Sequence, residues 1–136
     1  MIKCGKNFTI INKKLHKAFY EIGKVEVTTL KYFFPFLANK NIAIIKIDVE
    51  GNELKVLEGG MELITKFHVP FIVLEFTPHA LIEHNSKPIN LIQLFVSNDY
   101  KISMKRFLNQ NYINIEQLLS IGDVQNNIYF IHKSIL

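Results

Sequence analysis

Two short apolar runs, Ile42–Val49 (IAIIKIDV) and Phe71–Phe76 (FIVLEF), bracket a stretch whose apolar residues recur at helical spacing. Nothing else in the chain constrains the fold as much. The first run is apolar on both alternating faces apart from Lys46 and Asp48, and it is rich in β-branched residues. Such continuous apolarity predicts a parallel strand buried on both sides. Gly51 breaks the run. Asn52 is a good N-cap, and Glu53 in a first turn suits the positive end of a helix dipole. Leu54, Leu57, Met61 and Ile64 then mark one helix face out to Phe67. Gly59 and Gly60 interrupt that face at a cost of roughly 1 kcal/mol each relative to alanine. Close packing of the helix on the sheet, or a break in the helix, would explain them. Strand, helix and strand make a βαβ unit with a right-handed crossover, and the fold class is α/β.

The flanks are read from the same signals. Phe8–Ile11 reads as a strand. Leu15, Ala18, Phe19 and Ile22 follow the spacing of one helix face, which Gly23 would end. Val25–Thr28 alternates like a short strand. Thr29 is placed to cap a short helix carrying Leu30, Phe33, Phe34 and Leu37, which Pro35 bends or shortens. After Thr77-Pro78 a loop is expected, and then a helix with Pro88 at its first position carrying Ile89, Ile92 and Phe95. Tyr100–Phe107 reads as a strand, Ile115–Leu119 as one or two helical turns, and Asn127–His132 as a closing strand. No repeat or linker divides residues 1–136, which read as one domain.

Composition excludes several classes. Hydrophobic residues make up 49% and charged residues 21%, the balance of a folded globular chain. The one cysteine, Cys4, rules out an intramolecular disulfide framework, and a cytoplasmic setting is the simplest fit. No apolar run approaches the ~18 residues of a membrane span, and the N-terminus lacks the apolar core of a signal peptide. No membrane partner is expected. The formal net charge is +4 and unevenly spread. Residues 1–46 carry nine lysines against Glu21 and Glu26, whereas residues 48–75 carry six acids against Lys55 and Lys66. The basic half reads as a solvated surface or as a nucleic-acid patch. Arg106 is the only arginine and no aromatic-interleaved basic motif is present, so no nucleic-acid partner is expected.

The acids carry the chemistry. In open α/β sheets, ligands bind outside the carboxyl ends of the strands. Asp48 and Glu50 stand at the end of one strand and Glu75 at the end of the next, as neighbours or one strand apart. Three carboxylates at one crevice can hold a cation, accept a proton from a nucleophile, or bind hydroxyls and amines. Glu53, Glu58 and Glu62 are expected on the solvated helix face. His68, His79 and His84 with Cys4 lack the tight spacing of a structural zinc site. They read as surface or loop residues and no metal is expected, although His79 could face the acid crevice.

KIDVEGNELKVLEGG followed by PFIVLEF resembles the carboxyl-terminal signature of the FkbM-type methyltransferases. The resemblance rests on Lys46, Asp48, Glu50, Gly51, Glu53, Leu57, Gly59 and Glu75. VEVTTL (Val25–Leu30) resembles the family's lead-in, with Lys31 where the family usually has an acid, and NIYFIH resembles its closing strand. The likeness runs from about residue 25 to 132 and is specific over 42–76. It implies a Rossmann-like class I methyltransferase sheet and methyl transfer from S-adenosylmethionine to a hydroxyl or amine of a small-molecule or glycan acceptor. Asp48 would be the base or acceptor-orienting group, with Glu50 and Glu75 in support. The six glycines form no G-x-G, and no strand, Gly-rich turn and helix precede Ile42. The chain therefore looks like the C-terminal part of such a domain, with the N-terminal donor-binding strands missing and activity in doubt. Self-association, or pairing with a missing N-terminal half, would follow from the exposed edge. The rival reading is a non-catalytic interaction domain that binds a protein partner through that edge.

Overall fold

A computed structural model describes the backbone at residues 6–12, 20–105, 107, 111–122 and 126–136. The chain opens with an antiparallel hairpin, β1 (Lys6–Asn12) with β2 (Tyr20–Val27), which forms its own two-stranded sheet. The strand expected at Phe8–Ile11 lies in β1. Tyr20–Gly23, expected to close a helix, is instead extended in β2, where Gly23 pairs with Ile10. The helix face at Leu15, Ala18 and Phe19 lies outside the described residues. A 3-10 turn (Leu30–Phe33) runs into α1 (Phe34–Leu37), which has Pro35 in its first turn. Thr29 holds the N-cap position without a side-chain bond.

The βαβ unit follows. It consists of β3 (Ile44–Ile47), α2 (Glu53–Glu58), α3 (Met61–Lys66) and β4 (Phe71–Phe76). The two helices replace the single one expected, because the chain breaks at Gly59-Gly60. A Cβ on Gly60 would lie 2.5 Å from Leu30 Cδ1 and 2.9 Å from the Val56 carbonyl oxygen. The close approach is therefore to the 3-10 turn and not to the sheet. Next come α4 (Pro78–Glu83), where a loop was expected, α5 (Pro88–Val96), β5 (Tyr100–Ser103), β6 (Tyr112–Ile113), α6 (Ile115–Leu119) and β7 (Asn126–His132). β5 stops short of Phe107 because Ser103 turns the chain. Its hydroxyl accepts from the Lys105 N–H at 3.1 Å and donates to the Lys105 carbonyl at 2.8 Å.

The main sheet has five strands in the order β3-β4-β7-β5-β6. β3 and β4 are parallel, and β7 runs antiparallel between β4 and β5. The core lies between this sheet and its helices. Leu57, Ile64, Ile72, Leu91 and Ile128 are fully enclosed there, and Phe95 stacks on Phe130 with centroids 3.8 Å apart. The Tyr100 hydroxyl donates to the Val69 carbonyl at 2.5 Å, and burial pushes its pKa up to about 12. Burial on both faces fails at β3, where Ile44 is 50% exposed; among the described residues the strand pairs only with β4, which leaves the expected open edge. Among the described residues, no helix is long and apolar enough to cross a membrane.

Candidate active site

Register builds the site. In the parallel pair Ile47 lies beside Leu74. The next residue on each strand, Asp48 and Glu75, therefore emerges at the same carboxyl end of the sheet. An antiparallel pair would have sent them to opposite ends. Glu50 arrives by a turn and not by a strand. Its φ is 51° and that of Gly51 is 92°, two successive left-handed residues that fold the chain back over the strand end. One oxygen from each of Asp48, Glu50 and Glu75 lies within 4.8 Å of the other two. Asp48 and Glu50 are exposed, and Glu75 is half-buried. The three acids expected at one crevice come together, with their strands as direct neighbours.

Three carboxyl groups this close need a proton, an ammonium or a cation among them. Lys46, two residues back on the same face of β3, supplies an ammonium 2.7 Å from Asp48 Oδ2. That bond, followed by a hydrogen bond with Glu75, holds the Asp48 carboxyl below its ordinary 3.8. The same bond with Asp48 raises Lys46 above 10.5. Both groups are exposed, so the pair stabilises the fold little. Its effect is to keep Asp48 an anion, aimed along the strand end.

Glu53 departs from its expected place. It was read onto the solvated helix face, yet it is only 2% exposed. Its Oε1 accepts from the N–H of Val49 at 3.2 Å and from that of Gly51 at 3.1 Å. Glu58 and Glu62 are exposed as read, and Glu62 meets Lys31 at 2.9 Å. Asn52 does not cap α2 through its side chain; its Nδ2 donates to the Val49 carbonyl at 3.4 Å. Behind the turn, a Cβ on Gly51 would lie 2.5 Å from the Ala80 carbonyl oxygen and 2.8 Å from His84 Cδ2. α4 is thus the wall against which the turn rests, and its first turn carries His79, exposed. Among the described residues His68, His79 and His84 join no group of three metal-capable side chains; the acid triad is the one such group. Cys4 lies outside the described residues.

A family model, "Methyltransferase FkbM domain", matches residues 8–102. The match begins upstream of Val25 and ends short of His132, so it takes in the hairpin as well as the acid-bearing unit. No curated protein and no solved structure matches the chain.

Proposed function

The chain belongs to the FkbM methyltransferase domain family, and from that premise we propose that it transfers a methyl group from S-adenosylmethionine to a hydroxyl or amine of a small-molecule or glycan acceptor. The observation that carries this reading is the convergence of Asp48, Glu50 and Glu75 at the carboxyl end of two parallel strands. Asp48 accepts the hydrogen bond of the incoming O–H or N–H and so orients its lone pair. It takes the proton as the acceptor atom gains the methyl group. A carboxyl held below its usual range by Lys46 is a weak proton acceptor, so orientation is the larger part of its role. Glu50 and Glu75 shape the crevice and add negative potential.

The chemistry of the acid set suits a positively charged donor, whose contribution would be an electrophilic methyl group. The chain has no G-x-G turn to cradle the nucleotide half. The roles above are therefore derived toward the acceptor alone. We take the sheet to be part of a Rossmann-like methyltransferase sheet. Asp48→Asn keeps the size and loses the base. With methyl-labelled donor and a panel of hydroxyl and amine acceptors, it should lower turnover by roughly 10²-fold at most, because the amide oxygen still orients the acceptor, while donor affinity stays within a few-fold. Unchanged turnover would remove Asp48 from the mechanism.

A second reading has one observation in its favour. The open edge of β3 with its exposed Ile44 suits a binding module that adds a partner's strand. Donor binding separates the two, because only the enzyme needs it.

A further inference from the structure

We infer that Glu53 is the positioning residue of this site: through the backbone N–H groups of Val49 and Gly51 it fixes the turn that follows Asp48 and brings Glu50 back to Asp48 and Glu75. The inference rests on the reading of the acid crevice as the working site.

The geometry is specific. Asp48 and Glu50 are the residues on either side of Val49, and Glu50 and Asn52 flank Gly51. By binding the N–H of Val49 and of Gly51 with one oxygen, Glu53 fixes the peptide planes that immediately follow Asp48 and Glu50. Asp48 leaves the end of β3 directly, but Glu50 does not reach the cluster by extended backbone. Glu50 sits at φ 51°, a conformation that costs a non-glycine residue free energy and persists only where the surroundings hold it, and Gly51 follows at φ 92°, which glycine adopts freely. The Asn52 N–H and Nδ2 both donate to the Val49 carbonyl, at 3.3 and 3.4 Å, and two further contacts hold the turn. Glu53 holds the turn from within by its hydrogen bonds. The α4 wall at Ala80 and His84 holds it from behind and leaves no room for a Cβ on Gly51. Both amides would otherwise need water or another acceptor, and a surface acid would have no reason to be 2% exposed. Glu53 touches neither acceptor nor donor in this scheme; it acts through the turn.

The test compares two replacements of similar size. Glu53→Gln keeps a side-chain oxygen able to accept the same two bonds, whereas Glu53→Met fills the space and accepts nothing. Amide hydrogen exchange read by NMR should show Val49 and Gly51 protected in the wild type and in Glu53→Gln. In Glu53→Met both should exchange at least roughly tenfold faster, with the rest of the sheet unchanged. Crystal structures should keep the three carboxyl oxygens within 4.8 Å of one another in Glu53→Gln and disperse them in Glu53→Met. Protected amides and a convergent triad in Glu53→Met would overturn the inference. So would fast exchange at both amides in the wild type, a measurement that stands even if Glu53→Met fails to fold. None of these readings uses methyl transfer. An inactive chain with protected amides would count against the proposed function and leave the role of Glu53 intact.

Discussion

Lys46 and Asp48 illustrate how a surface pair can matter to chemistry while adding little to stability. Asp48 titrates lower in the folded chain than its ordinary 3.8, so the pair's contribution is present above that value and is lost as the pH falls through the lower folded one. Lys46 is the mirror case. Its contribution is present below 10.5 and is lost as the pH rises through the raised folded value. The melting-temperature difference between wild type and Lys46→Met should therefore be small and level between roughly pH 5 and 9 and shrink at both extremes. A difference that grows in acid would contradict the pairing. The three acids were legible in the sequence because each closes an apolar run, and strand ends are where such sheets bind ligands. Glu53 was not legible. An acid in a first helical turn ordinarily faces water, and periodicity alone cannot tell that its carboxyl folds back onto two amides. The close spacing of acids around Gly51 was its only sequence trace.

The same division holds for the elements. α2 and α3 were read as one helix because their apolar residues keep a single phase across Gly59-Gly60. The break was one of two explanations for the glycines, and it holds; close packing on the sheet was the other, and the close neighbour is instead Leu30 of the 3-10 turn. The two glycines should therefore differ in kind. A Cβ on Gly59 meets nothing nearer than 3.6 Å and its φ is −82°. Gly59→Ala should thus be neutral or stabilise by about 0.4–1 kcal/mol through the unfolded chain. Gly60→Ala would press on Leu30 and on the Val56 carbonyl and should cost about 1–3 kcal/mol. Urea unfolding of the two variants checks this, and equal effects would mean that the 3-10 turn does not pack as described. The misreadings at β2 and α4 have separate causes. Ile22 falls in phase with Leu15, Ala18 and Phe19, a helix-like spacing that strand pairing with β1 overrides at Tyr20–Gly23, and α4 buries Leu81 as its only fully enclosed residue, too little to show a period.

At the scale of the molecule, the acid crevice and the open edge of the sheet share one strand. β3 carries Lys46 and leads into Asp48, and among the described residues its far side has no strand beside it. The continuous apolar run was read as a strand buried on both faces, because nothing in its composition distinguishes an interior strand from an apolar edge. The burial pattern does distinguish them. Ile44→Lys, at a half-exposed position, should change stability by no more than about 0.5 kcal/mol and blunt edge-to-edge association. Ile47→Lys, at 4% exposure, should cost several kcal/mol by burying a charge. Comparable losses in the two variants would mean that β3 is covered on its outer side. The central claim is methyl transfer at the strand ends of a chain without a G-x-G turn, and donor binding tests it most directly. Calorimetric titration of the purified, folded chain with S-adenosylmethionine up to millimolar concentration should give saturable one-site heat. A folded chain that takes up no donor would contradict the enzymatic account and leave the acids as architecture the chain carries without using.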